Sequence, residues 1–108
     1  MDDFAIFLSG RLLSSTTSGD LLEEISRSLT EGQKTILINL QNTLFMDSTG
    51  LSVLVTAYKR VRDVRGRFAL CSLNAQARML IEQTGMEKFF EVYASPEEFS
   101  ATIVAKQD

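Results

Sequence analysis

A chain of 108 residues with 44% hydrophobic and 23% charged residues has the size and composition of one soluble globular domain. It contains no histidine and one cysteine, which excludes a Ser-His-Asp triad, an intramolecular disulfide and nearly every zinc site. The net charge of −3 argues against nucleic-acid binding. Because no secretion signal and no apolar run of roughly 18 residues is recognisable, we expect a cytoplasmic protein without a membrane span.

The first half of the chain alternates between predicted strands and a helix. The apolar run over residues 4–8 predicts a strand, and a polar Ser/Thr segment over residues 14–19 then leads into a helix over residues 20–30. Gly32 is predicted to end this helix, because glycine accepts a positive φ. Residues 35–40 form a short apolar run that is typical of the centre of a parallel sheet.

The second half continues the alternation. The predicted elements are a helix over residues 49–65 ended by Gly66, a strand over 67–73, a helix over 74–83 capped by Asn74 and ended by Gly85, a strand over 89–93, and a last helix with Ser95 as N-cap. The order β-α-β-α-β-α-β-α requires crossover connections between strands. We therefore expect a single α/β domain, with a mixed or largely parallel sheet of about four strands covered by about four helices.

The tetrapeptide Asp47-Ser48-Thr49-Gly50 is the most informative segment, because it lies between a buried strand and an amphipathic helix. Open α/β sheets place their sites at this edge, and a serine there is exposed near the unpaired N–H groups of the helix. Such a position suits a group that is modified. The alternative is a purely structural role, since Asp and Ser are both preferred N-caps. Capping does not require three polar residues followed by a glycine, and Gly50 would let another backbone approach closely.

Three segments carry a resemblance to a known family. They are Ile38-Asn39-Leu40 with residues 45–51 after a short loop, Gly10-Arg11-Leu12, and residues 80–86. Together they resemble the signature of STAS domains, specifically of bacterial anti-sigma factor antagonists, over about residues 4–99. Two features depart from the family pattern. Leu13 stands where many antagonists carry an aspartate, and the chain has no residues for the strand that usually precedes residues 4–8, so that the exposed edge is either covered by self-association or tolerated.

The resemblance implies a phosphorylation-switched binding module rather than an enzyme. An antagonist of this family binds an anti-sigma serine kinase when it is unphosphorylated, which frees a sigma factor for transcription. The motif position implies that the kinase phosphorylates Ser48, with Thr49 as the less favoured acceptor, and that a serine phosphatase removes the phosphate. Nucleotide and magnesium would belong to the partner, so no cofactor and no metal are expected in this chain.

The implied interface centres on Ser48 and involves its neighbours in the chain. Its residues are Asp47, Ser48, Thr49, Gly50, Leu44, Met46 and Ser52. Met46 either contributes to this interface or belongs to the core. A penalty of about 2.8 kcal/mol for burying a phosphate at such an interface would lower affinity about a hundredfold.

Other interpretations remain open at this stage. The chain could be a STAS scaffold or regulatory subunit of another signalling or transport complex, which would share the fold but bind no sigma-factor kinase. The basic cluster Lys59-Arg60-Val61-Arg62 with Arg65-Gly66-Arg67 either complements the negative end of a helix dipole or forms a phosphate-binding patch. Cys71 is most simply a small core residue.

Overall fold

Four parallel strands form the central sheet. The computed structural model describes residues 4–13 and 19–106. The strands in this part of the chain are β1 (Ala5–Leu8), β2 (Leu12–Leu13), β3 (Thr35–Asn39), β4 (Phe45–Met46), β5 (Arg67–Cys71) and β6 (Glu91–Tyr93). The central sheet has the order β1-β3-β5-β6, and each neighbouring pair is parallel. The predicted sheet of four strands is therefore confirmed, in its parallel rather than its mixed form.

Strands β2 and β4 form a separate parallel pair that was not predicted. Leu12 lies opposite Phe45, and Leu13 lies opposite Met46. A strand of two residues has no measurable hydrophobic periodicity, so its existence depends on the partner strand. The pair matters here because it joins the segment after β1 to the segment just before Ser48.

Within the described ranges, four helices cover the sheet, as predicted. They are α1 (Gly19–Thr30), α2 (Ser48–Asp63), α3 (Ala75–Thr84) and α4 (Pro96–Lys106), and a short 3-10 helix over Met86–Lys88 was not predicted. Side chains of α1, α2 and α3 pack in one core with alternate strand residues such as Ile36 and Ile38. Leu37 points to the opposite face, where Phe99 of α4 covers it. The sheet is thus buried on both faces, which explains why its central strands read as continuous apolar runs.

The end of α2 differs from the prediction. The helix begins at Ser48 and ends at Asp63, whereas residues 49–65 were expected. The residue with a left-handed conformation is Arg65, with φ of 60°, and not Gly66. Glycine is required at position 66 for a different reason: a Cβ atom there would lie 2.2 Å from the carbonyl oxygen of Lys34. The residue therefore permits close packing rather than a positive φ.

The other predicted helix boundaries agree more closely with the structure. The side chain of Asn74 accepts a hydrogen bond from the N–H of Ala77 at 2.8 Å, which confirms it as the N-cap of α3. Gly32 and Gly85 adopt positive φ angles of 96° and 77° after α1 and α3. At the start of α4, the hydroxyl of Ser95 accepts from the N–H of Glu98 at 3.1 Å, as expected of an N-cap.

Several strand boundaries were predicted too long. The strand expected over residues 67–73 ends at Cys71, because Ser72 has a φ of 64° and leaves the extended conformation. The strand expected over 89–93 begins at Glu91, after the 3-10 helix. Cys71 is a buried core residue, as predicted, and its burial raises the pKa of the thiol above the ordinary value of 9.0.

The predicted polar loop falls mainly on residues 14–18, which lie outside the described residues. No helix within residues 4–13 and 19–106 is both long enough and apolar enough to span a bilayer.

Candidate functional site

Asp47 fixes the start of α2. It precedes the helix in an extended conformation, and its carboxylate accepts a hydrogen bond from the N–H of Gly50 at 2.7 Å. Its carbonyl oxygen accepts the first helical hydrogen bond, from Leu51 at 2.9 Å. The N-cap interpretation of the tetrapeptide is therefore confirmed for Asp47, and Ser48 is left as the first residue of the helix.

Gly50 lies against the backbone of β2. A Cβ atom at this position would be 1.9 Å from the carbonyl oxygen of Leu13 and 2.6 Å from its carbonyl carbon. The same carbonyl oxygen accepts a hydrogen bond from the N–H of Asp47 at 3.2 Å. The predicted close approach of another backbone at Gly50 is confirmed. Because Gly50 is buried, it shapes the site without offering a contact surface.

The segment before the motif is held by hydrogen bonds from α3. The amide side chain of Gln76 bonds both backbone groups of Met46, accepting from its N–H at 2.9 Å and donating to its carbonyl at 2.7 Å. Asn74 donates to the carbonyl of Leu44 at 3.0 Å. The hydroxyl of the buried Thr43 donates to the carbonyl of Gly10 at 2.8 Å. These bonds hold residues 43–46, which we call the binding loop, in one position relative to Ser48.

The binding loop exposes two apolar side chains and buries a third. Leu44 is 60% exposed and Phe45 is 50% exposed, whereas Met46 is fully buried in the main core. Because successive side chains of a strand point to opposite faces, only one of Phe45 and Met46 in β4 can face outward. The choice left open for Met46 is thus decided in favour of the core, and its inclusion among the contact residues was wrong. Phe45 takes its place on the surface.

The polar residues of the first helical turn are accessible. Ser48 and Thr49 are exposed, and so is Ser52 one turn further along the helix. The hydroxyl of Ser52 is occupied locally, donating to the carbonyl of Thr49 at 2.6 Å. The first turn contains no acidic side chain after the cap. An anion on Ser48 would therefore meet the free N–H groups and the positive end of the helix dipole.

Two residues that position this site were not identified as functional from the sequence. Asn74 was assigned only as the cap of α3, and Gln76 carried no signal, because a glutamine in a helix is usually solvent-exposed. Their role depends on the approach of α3 to β4, which is a tertiary contact. Phe45 could have been identified if the two-residue strand had been recognised, because alternation then places it outward.

The arrangement places an exposed serine beside an exposed apolar surface. The carboxylate of Asp47 is engaged by a backbone N–H, and the exposed hydroxyl of Ser48 lies beside exposed apolar side chains of the binding loop. A family model described as the STAS domain matches residues 2–99, which is nearly the whole chain. The chain belongs to the STAS family.

Two curated relatives of this STAS domain are anti-sigma factor antagonists by name. The anti-sigma F factor antagonist of Paenibacillus polymyxa is 34% identical over 58 residues, which is 54% of this chain and 50% of that protein. This match therefore spans about half the length of the relative. The anti-sigma-B factor antagonist of Bacillus subtilis strain 168 is 28% identical over 96 residues, covering 89% of this chain and 86% of that protein.

Solved structures share the fold of this STAS domain. A Thermotoga maritima protein superimposes with a TM-score of 0.84 at 23% identity, covering 91% of this chain and 85% of that chain. The Bacillus cell fate determinant SpoIIAA in its phosphorylated form gives a TM-score of 0.75 at 20% identity, covering 95% and 93%. These similarities establish the fold.

Proposed function

We propose that this STAS domain is an anti-sigma factor antagonist that binds an anti-sigma serine kinase when Ser48 is unphosphorylated. The names of the curated relatives support the class of partner. The observation that carries the proposal is the exposed hydroxyl of Ser48 at the first residue of α2, beside a binding loop with two exposed apolar side chains. The protein would act in the cytoplasm as a binding partner and not as an enzyme.

The interface in this proposal has an apolar part and a polar part. Leu44 and Phe45 supply the apolar contact, and Ser48, Thr49 and Ser52 supply the polar one. The partner kinase would supply nucleotide and magnesium and transfer a phosphoryl group to the hydroxyl of Ser48. A separate serine phosphatase would restore the hydroxyl.

Phosphorylation of Ser48 is proposed to stop binding without unfolding the domain. A phosphate adds about −1.5 to −2 charges at neutral pH. Within the domain this charge is stabilised by the N-terminus of α2. Within an interface the same charge must lose its water, and the neighbouring carboxylate of Asp47 adds like-charge repulsion. A penalty of about 2.8 kcal/mol would reduce affinity about a hundredfold.

The test begins with the protein isolated from its native cells. Intact-mass analysis of the wild type should find one phosphate that varies with growth and stress, and peptide mapping should place it on Ser48. Ser48→Ala should abolish this modification. Ser52→Ala is the matched control, because Ser52 is also an exposed serine, one turn further along the same helix. A phosphate that persists in Ser48→Ala would overturn the assignment of the acceptor.

The second arm measures binding. The unmodified protein should bind a serine kinase, and the complex should form again from the two purified proteins. In that complex, Ser48→Asp should lower the affinity about a hundredfold or more. If Ser48 is never modified and no kinase binds, the alternative of a constitutive STAS scaffold or regulatory subunit is favoured instead.

A further inference from the structure

An apolar groove lies at the opposite end of α2 from Ser48. Its lining residues are Val55, Tyr58, Lys59, Arg62, Met86 and Phe89, around a volume of about 300 Å³. We call it the Phe89 groove. Ser48 and Arg62 are separated by fourteen positions of one helix, or about 21 Å along its axis. The groove is therefore a surface separate from the proposed kinase interface.

The aromatic ring of Phe89 lies at the surface of this groove rather than in the core. Phe90 is buried and packs against Tyr58 and Phe68 at ring-centroid distances of 5.9 and 5.8 Å. Its neighbour Phe89 is 54% exposed and contacts Tyr58 from outside at 6.2 Å. Phe89 lines the groove together with Val55, Tyr58 and Met86, and a contiguous apolar surface indicates an interaction site more strongly than a single exposed side chain does.

The groove continues toward the end of α2. A second cavity of about 180 Å³ shares Tyr58, Arg62 and Phe89 with the first and extends to Gly66 and to the ion pair of Arg67 with Glu91. The two cavities are therefore adjacent along the second half of α2.

Cationic side chains lie at the rim of the groove. The residues of the basic cluster noted in the sequence differ in their interaction partners. Arg60 and Arg67 have structural partners: Arg60 donates to the hydroxyl of Ser26 at 2.6 Å, and Arg67 donates to the carboxylate of Glu91, also at 2.6 Å. Arg62 and Lys59 face the groove instead. Within the described residues Lys59 makes no ion pair, and Arg62 has only an exposed contact of 3.5 Å with Asp63.

The guanidinium of Arg62 lies 5.9 Å from the centre of the Tyr58 ring, which orients it over the apolar floor. The chain as a whole has a net charge of −3, whereas the lining of the Phe89 groove itself contains two cations and no carboxylate. A bound segment that complements it must combine an apolar side chain with carboxylates.

We propose that the Phe89 groove binds a short acidic peptide segment of a partner protein, which inserts an apolar side chain beside Phe89 and places carboxylates on Lys59 and Arg62. This inference does not rest on the proposed kinase interface, because the two surfaces lie at opposite ends of α2. Binding in the groove is accordingly insensitive to the charge on Ser48.

The test uses a synthetic peptide of about 12 residues, which is three helical turns, with Leu and Phe on one face and Glu on the other. Fluorescence anisotropy measures its affinity for the full chain, and amide chemical-shift mapping locates it. We expect shifts at residues 55–62 and 86–89, with affinity reduced at least tenfold when the Glu residues are replaced by Lys. Phe89→Ala and Arg62→Glu should each weaken binding at least tenfold.

Control variants distinguish binding in the groove from non-specific apolar binding and from binding at the Ser48 site. Met79→Ala removes another exposed apolar side chain, on α3, and should leave binding unchanged. Ser48→Asp should also leave it unchanged, which distinguishes failure here from failure of the kinase proposal. Arg62→Glu alters only a surface side chain, so it remains informative if Phe89→Ala fails to fold.

Several outcomes would overturn the proposal: shifts that map outside the groove, equal affinity for the Lys and Glu peptides, or concentration-dependent shifts at the same residues without peptide. The last would show that a second copy of this chain occupies the groove. Absence of peptide binding at millimolar concentration would equally contradict it.

Discussion

The two ends of α2 are anchored by the same device but attract anions through different groups. At the N-terminal end, Gly50 lies against the carbonyl of Leu13, and beyond the helix Gly66 lies against the carbonyl of Lys34. The first end offers backbone N–H groups and an exposed serine hydroxyl, whereas the last turn carries Arg60 and Arg62. One helix thus displays two separate anion-attracting surfaces, one made by backbone groups and one by side chains.

The largest expected effect comes from the two glycine anchors. Gly50→Ala should lower the free energy of unfolding by more than about 3 kcal/mol, because the new Cβ would collide with backbone atoms that cannot rotate away. Gly66→Ala should be similarly severe, since its Cβ would meet the carbonyl oxygen of Lys34 at 2.2 Å. Urea unfolding followed by circular dichroism measures both.

The control for the anchors is Gly10→Ala. A Cβ atom at position 10 would have no neighbour within 4 Å, so stability should change little. If Gly50→Ala unfolds at the same urea concentration as Gly10→Ala, the close approach of β2 to α2 is not a constraint on the fold.

The next largest change in stability is expected at β4, where substitutions of its two adjacent residues should differ in their effect. Met46→Ala should destabilise the protein by about 3 kcal/mol, because it leaves a cavity in the main core. Phe45→Ala should change stability by less than about 1 kcal/mol, because half of its side chain is already in water. Thermal unfolding of both variants tests this pair.

Binding of the proposed partner should depend more on Phe45 than on Met46, which is the reverse of their order for stability. Phe45→Ala is expected to weaken the proposed kinase complex, while any folded Met46→Leu variant should bind like the wild type. Equal loss of binding in both variants would argue that the binding loop acts through its backbone position alone.

A smaller effect is expected from the cap of α2. Asp47→Ala should cost about 1 kcal/mol, because the N–H of Gly50 loses its acceptor. Asp47→Asn keeps an acceptor oxygen and should retain most of the stability. The measurement is again the urea midpoint, and equal midpoints for the Ala and Asn variants would contradict the capping role.

The smallest effect has the opposite sign and lies at the other end of the helix. Arg65→Gly should stabilise the protein by about 0.5 kcal/mol, because Arg65 has a φ of 60°, where a side chain is unfavourable. Arg62→Gly is the matched control within the helix and should be destabilising. Loss of stability in Arg65→Gly would show that the arginine side chain makes a contribution larger than the backbone strain.

Local signals in the sequence were sufficient for most of the fold. Caps such as Asn74 and Ser95 act within three or four residues, so the chain itself contains the partner that makes them recognisable. Apolar residues that recur every three or four positions identified the four helices, and this pattern is also local in the sequence. Gly66 was predicted to end α2, but the helix ends at Asp63, and the approach of Lys34 that requires a glycine at position 66 is not visible locally.

The candidate site could be predicted only in part. Asp47 and Ser48 belong to a local motif, and their positions at the start of α2 followed from it. The outward direction of Phe45 depends on β4 pairing with β2, and the hydrogen bonds from Gln76 depend on the approach of α3. Such contacts join residues some thirty positions apart, and a single sequence carries no direct record of them.

The hydrogen bonds between Gln76 and Met46 have a consequence for how partner choice can evolve. Both bonds involve backbone atoms of residue 46, and Asn74 likewise contacts the carbonyl of Leu44. The loop backbone is thus held independently of which side chains it displays at positions 44 and 45. Substitutions there can alter the shape and polarity of this surface while the path of the chain stays constant, so duplicated copies of such a gene can diverge toward different partners without first having to rebuild the fold.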